Sequence, residues 1–372
     1  MLIRHANAFI NGHFRPDTEV RVHNGCVREV GSGLAKGLYE DEVDLGGDYL
    51  LPGFVDVHIH AFAGHDTMAG EQAVRAMSRG LYRLGVAAFL PTTMSASVED
   101  TAAALRGVSA VLHRQEGRGA RVLGAHMEAP FLQPAKAGAQ LKEYFLTPSL
   151  DAFAGMGGDP AVVRLITLAP ELEGSEAFIR AAAAMGITVS IGHTSATAEQ
   201  THLAADWGAT HVTHTFNAQP PLHHRSPGVV GAAMTDDRLY TELICDGVHL
   251  HGDIVRLIFR CKAPERAVAI TDAMEAAGLP DGTYTLGGQK VYVHGPEARL
   301  ADGTLAGSVL TMPLALHNLI HRFGIAPEAA VSACTCAPAE SIGEKLAGHL
   351  IPGSPAPLTR WSRDWELLGI LD

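Results

Sequence analysis

The sequence predicts an α/β protein, a (β/α)8 TIM-like barrel with a small β unit beside it, and three observations carry that expectation. From about residue 51 onward, eight apolar strand-like runs alternate with helical, Ala-rich segments. Metal-competent side chains recur at the downstream ends of those runs. Before residue 51 the pattern differs, with short alternating runs broken by Asn-Gly turns.

In order, Ala8-Phe9-Ile10 leads into Asn11-Gly12 and Val20-Arg21-Val22 into Asn24-Gly25, which reads as hairpins in a small antiparallel unit over residues 1–50. The strand-like runs follow at 51–60, 86–92, 121–128, 163–169, 187–193, 210–214, 241–246 and 267–272. Helical spacing lies between most of them, at 71–84, 98–113, 175–185, 197–207 and 253–261. An open doubly wound sheet is the competing arrangement, but no Gly-x-Gly-x-x-Gly turn opens any of these helices.

The run Pro52-Gly53-Phe54-Val55-Asp56-Val57-His58-Ile59-His60 is the most informative stretch. It reads as a buried strand, and residues two apart on a strand share a face, so His58 and His60 emerge together. In a chain with 20 histidines one such pair can be chance. Its company decides otherwise: Glu128 ends the third run, His193 the fifth, His214 the sixth and Asp272 the eighth. In a barrel those ends converge on one mouth. Neutral imidazoles with a carboxylate suit zinc or another late divalent ion, which makes water more acidic, and Asp272 is placed to move a proton.

Composition narrows the partners. The 372 residues are 47% apolar, enough for a sizeable core, and the formal charge of −12 with no basic stripe excludes a nucleic-acid or anionic-membrane partner. No stretch is long and apolar enough to span a bilayer, and the N-terminus lacks a signal peptide's apolar core, so a cytoplasmic location is expected. Cys26, Cys245, Cys261, Cys334 and Cys336 are odd in number and lack zinc-ribbon spacing, as reduced thiols do.

These residues resemble the amidohydrolase superfamily and, more closely, its N-acetylglucosamine-6-phosphate deacetylase family. The resemblance is carried by the first run with His58 and His60, Gly124-Ala125-His126-Met127-Glu128-Ala129-Pro130-Phe131, Gly192-His193-Thr194, His211-Val212-Thr213-His214-Thr215-Phe216-Asn217-Ala218, Asp246-Gly247-Val248-His249, Thr271-Asp272-Ala273 and Leu305-Ala306-Gly307-Ser308. It implies a barrel over 51–344 and a small β-sandwich domain formed by both chain ends, 1–50 and 345–372. It implies that Glu128, His193 and His214 hold one divalent metal, zinc foremost and iron as an alternative, with a second ion available through His58 and His60. Asp272 becomes the general acid/base. Ala139, Gln140, Asn217, Ala218, Arg225, His249, Leu305, Ala306, Gly307 and Ser308 become substrate contacts, with the Arg225 guanidinium, a fork suited to phosphate, directed at a 6-phosphate in a homodimer. The implied partner is a small amino-sugar phosphate. Three departures stand out: Gln140 and Gln219 occupy positions where the family usually has histidine and methionine, and the tail from His349 lacks the family's acidic strand entry.

Overall fold

The computed structural model describes residues 1–115 and 117–372. The barrel strands are β1 (Phe54–Ile59), β2 (Val86–Thr93), β3 in two pieces (Arg121–Val122 and Ala125–Met127), β4 (Val163–Leu168), β5 (Thr188–Ile191), β6 (His211–Val212), β7 (Tyr240–Ile244) and β8 (Ala267–Ile270). All pair in parallel, β1 to β2 and so on through β7 to β8. The circle closes at its downstream rim, where the Asp272 N–H donates to the His58 carbonyl at 2.9 Å and the His60 N–H to the Ala273 carbonyl at 3.1 Å. Every residue of β1, β2 and β8 is buried, which is why these runs are almost continuously apolar.

The expected helices form as α1 (Glu71–Tyr82), α2 (Val98–His113), α4 (Ser175–Ala184), α5 (Ala198–Trp207) and α7 (Gly252–Cys261), with the shorter α3 (Leu150–Gly155) and α6 (Gly228–Thr235) between them. On α1, Ala73, Val74, Met77 and Leu81 recur at helical spacing and turn inward. Thr197 and Gln200 close a reciprocal capping box at the start of α5.

Both chain ends meet in one seven-stranded sheet. Its order runs Leu367–Leu371, Leu358–Trp361, Tyr49–Leu51, Leu2–Ile10, His13–His23, Cys26–Gly31, with Glu42–Asp44 beside Leu2–Ile10. Asn11-Gly12 and Asn24-Gly25 form the two hairpin turns, each with both residues at positive φ, as a turn matching the strand twist requires. This sheet has its own buried cluster, including Ile3, Ile10, Val20, Leu50, Leu350 and Leu358.

One element was not foreseen. After β8 the chain inserts a three-stranded antiparallel sheet, Gly282–Leu286, Gln289–His294 and Glu297–Arg299, packed on Met94 and Met274. The Gln289 amide donates to the Ala139 carbonyl at 2.7 Å, which ties this insertion to the segment carrying Gln140.

Candidate metal centre and active site

At the downstream rim the predicted residues come together. Glu128 Oε1 lies 3.0 Å from His214 Nε2, 3.2 Å from His193 Nε2 and 3.3 Å from His58 Nε2. Its other oxygen, Oε2, lies 3.2 Å from His60 Nε2 and accepts a 2.6 Å hydrogen bond from the Gln140 amide. Asp272 Oδ1 stands 3.2 Å from His60 Nε2 and 3.6 Å from His58 Nε2. Two ligand groups result, Glu128–His193–His214 and His58–His60–Asp272, both buried.

The sequence makes this geometry by ending strands early. His193, His214 and Asp272 have φ of 45°, 25° and 49°, left-handed values that non-glycine residues adopt at a cost, so each chain turns off its strand just as the side chain reaches the mouth. Gly307, at φ 61°, passes so close that a Cβ would sit 2.9 Å from the Asp272 carbonyl oxygen. Only glycine fits there.

The donor set fits a cation. His193 Nδ1 faces the Lys136 carbonyl at 2.8 Å, and a carbonyl can only accept, so in a neutral ring Nε2 carries the lone pair. That lone pair meets a carboxylate oxygen and, at 3.1 Å, His214 Nε2. The His58 Nε2 and His60 Nδ1 atoms are buried without hydrogen-bond partners. Such an array is repulsive unless protons or a metal ion occupy it. Burial opposes a charge on His60, yet Asp272 and Glu128 together raise it to about 9. Burial likewise opposes ionisation of Glu128, but His58, His193 and His214 hold it well below the usual carboxylate range.

A cavity of about 240 Å³ opens above these groups, lined by His60, Glu128, Ala139, Gln140, His193, His214, Asn217, Ala218, His249, Asp272, Leu305 and Gly307 among others. It is slightly smaller than the roughly 300–1,000 Å³ of most small-ligand pockets. A larger cavity of about 620 Å³ lies between the terminal sheet and the segments around Pro264 and Ala329, but none of the convergent groups reaches it. His249 is held by Asp246, whose Oδ2 lies 2.6 Å from Nδ1. Burial disfavours the imidazolium there, but Asp246 outweighs it and raises His249 above its ordinary value.

Three expected contacts are not brought to the cavity. Arg225 is exposed on the 221–226 loop, where its Nη1 lies 2.7 Å from His224 Nε2. Ala306 is buried behind the wall, and the Ser308 hydroxyl donates inward to the Thr271 carbonyl. Gln219 is also structural, its amide accepting from the Phe216 N–H at 3.1 Å and donating to the Thr213 carbonyl at 3.0 Å, so it stitches the loop after β6.

Sequence reading gave no role to two buried acids, Asp56 within the first run and Glu242. Asp56 accepts from the Thr271 hydroxyl at 2.6 Å, and burial pushes its carboxyl up to about 7. Glu242 sits fully buried in β7 beside His58 and His211. A carboxylate inside Tyr240-Thr241-Glu242-Leu243-Ile244 was a legible signal, because a charge in a strand buried on both faces must be paired.

Residues 49–368 match the model of the amidohydrolase family. The chain belongs to the amidohydrolase family. Among its curated relatives, the N-acetylgalactosamine-6-phosphate deacetylase of Escherichia coli O157:H7 is 37% identical over 345 residues, spanning 91% of this chain and 89% of that one. The N-acetylglucosamine-6-phosphate deacetylase of Bacillus subtilis (strain 168) is 39% identical over 298 residues, 79% of this chain and 75% of that one. In three dimensions, a mutant of the N-acetyl-D-glucosamine-6-phosphate deacetylase from Mycobacterium smegmatis, solved in complex with N-acetyl-D-glucosamine-6-phosphate, superposes with a TM-score of 0.91 at 30% identity, covering 100% of this chain and 97% of that one. The metal dependence of amidohydrolases agrees with the two ligand groups at this mouth.

Proposed function

We propose that this amidohydrolase is a deacetylase that hydrolyses the N-acetyl group of N-acetylglucosamine 6-phosphate to glucosamine 6-phosphate and acetate. The observation that carries this reading is the convergence of Glu128, His193, His214 and Asp272 on one small cavity. Glu128, His193 and His214 would hold the main ion, zinc being the foremost candidate for imidazole and carboxylate ligands, and His58 and His60 would offer a second position. A divalent ion held there would supply Lewis acidity, making a water more acidic and a carbonyl oxygen more polarised.

The protein's own groups do the rest. Asp272, at the cavity floor, takes a proton from the attacking water and returns it to the amide nitrogen as the C–N bond breaks, so that acetate and the free amine leave. His249, fixed by Asp246 and facing the cavity, offsets the charge that grows on the carbonyl oxygen. Asn217, Ala218, Ala139, Leu305 and Gly307 shape the sugar site. Among the described residues no lysine or arginine lines the cavity, so the phosphate requires a cation from elsewhere. Arg225 serves this role, supplied across a homodimer interface. Residues 51–344 form the catalytic barrel and the two chain ends the small β domain. Among the described residues no helix is long and apolar enough to cross a membrane.

A second reading is deacetylation of N-acetylgalactosamine 6-phosphate. It is supported by the 37% identical Escherichia coli relative of that name and by Gln140 at the cavity wall. Initial rates of acetate release from the two epimers, with and without the 6-phosphate, decide between them. A catalytically silent barrel is disfavoured because Glu128, His193, His214 and Asp272 are all retained.

A further inference from the structure

Glu242 takes no part in the reaction described above, yet its carboxylate is wholly buried in β7, where an ionised group is costly unless each oxygen has a partner. Oε2 lies 3.1 Å from His58 Nδ1 and accepts from the His214 backbone N–H at 3.0 Å. Oε1 lies 3.2 Å from Nδ1 of His211, another fully buried ring, but without hydrogen-bond geometry, so the bonds of this carboxylate run through Oε2. One carboxylate therefore reaches a side chain on β1 and the backbone at the end of β6.

A carboxylate at Nδ1 fixes the tautomer of His58. Nδ1 carries the proton, and Nε2 becomes the lone-pair nitrogen, 3.3 Å from Glu128 Oε1 and 3.6 Å from Asp272 Oδ1, with no hydrogen-bond partner of its own. His60 has no such support, since its Nδ1 is buried and unpartnered. The orientation of the His58–His60–Asp272 group thus depends on the hold that Glu242 has on His58. The other group has a brace of its own in the Lys136 carbonyl behind His193, and Glu242 touches it only at the His214 backbone N–H, not at a ligating side chain.

We propose that Glu242 is a positioning residue that orients His58 and so determines whether the His58–His60–Asp272 group binds a second cation beside the one at Glu128–His193–His214. This rests on the metal-site reading given under Proposed function. A carboxylate behind a ligating imidazole is worth about 10–100-fold in metal affinity, and Glu242 acts on one site more than on the other.

The test counts zinc. Purified protein reconstituted with excess zinc is analysed by inductively coupled plasma mass spectrometry and by competition with a chelating dye, so the readout does not depend on turnover. Wild type should hold two ions per chain. Glu242→Gln should keep one tightly and bind the other about 10–100-fold more weakly, while His211→Gln, which leaves the contact to His58 in place, should still hold two. If Glu242→Gln does not fold, Glu242→Asp, whose shorter side chain draws the charge back from His58, is scored on the same count. The proposal is overturned if the Glu242 variant binds both ions as tightly as wild type, if His211→Gln reproduces its loss, or if wild type takes up only one ion. A wild-type protein that binds no zinc would instead bring down the underlying reading of the site.

Discussion

Replacing Asp272 by Asn keeps the shape of the side chain and removes its capacity to carry a proton. The backbone does not depend on the carboxylate: the Asp272 N–H is bonded to His58 at 2.9 Å, its carbonyl to the Ser308 N–H at 2.8 Å, and asparagine tolerates the positive φ found there. The fold and the Glu128–His193–His214 group should therefore survive. Loss of a positioned proton donor costs about 10²–10⁴ in turnover, or roughly 2.7–5.5 kcal/mol of transition-state stabilisation. Because Asp272 Oδ1 also faces His60 Nε2 at 3.2 Å, occupancy of a second ion should fall while the first is retained. Steady-state acetate release with metal analysis of the same samples tests this. A variant whose kcat stays within about threefold of wild type, far short of the usual worth of such a donor, would refute the assignment.

Gln140→Ala should lower stability by about 1–3 kcal/mol, because the amide oxygen accepts the buried Ser95 N–H at 2.7 Å and the amide nitrogen braces Glu128; thermal unfolding and zinc affinity should both drop. Asp236 is held well below the usual carboxylate range, first by its bond to Arg238, with His202 adding to it. A depressed folded pKa contributes stability that is present above the unfolded value near 3.8 and lost as pH falls below it, so Asp236→Asn should unfold earlier at pH 7 and show a shallower loss between about pH 4 and 3 in a melting series. Trp361 is 1% exposed and meets Phe54 edge-on at 6.3 Å, joining the terminal sheet to β1; Trp361→Ala should cost about 3–5 kcal/mol in chemical denaturation.

The barrel was legible because strands buried on both faces are written as apolar runs, and the groups that converge at its mouth because a polar residue at the end of such a run has few other reasons to be there. His193, His214 and Asp272 follow that rule closely. The break in β3 did not show: Leu123 and Gly124 read as part of one run, but Gly124 has φ 140° and interrupts the ladder. The insertion over 282–299 carried readable signals in the alternation of Lys290-Val291-Tyr292-Val293 and the Gly287-Gly288 turn, yet its period was too short to separate it from a loop. Arg225 shows the limit of another kind, since a side chain's distance from a cavity depends on loop course and on neighbouring chains, neither of which is encoded in local pattern. Glu242 lies in a strand interior rather than at a strand end, and its signal is of a different kind: a carboxylate inside an otherwise buried strand, which requires a buried partner.

Acetate release from N-acetylglucosamine 6-phosphate is the measurement closest to the centre of this account, made on one preparation as isolated, after chelation to metal-free protein, and after zinc is returned. Turnover should vanish with the metal and come back with it. Undiminished acetate release from protein shown by mass spectrometry to be metal-free would contradict the assignment of Glu128, His193 and His214 as ligands on which the chemistry depends.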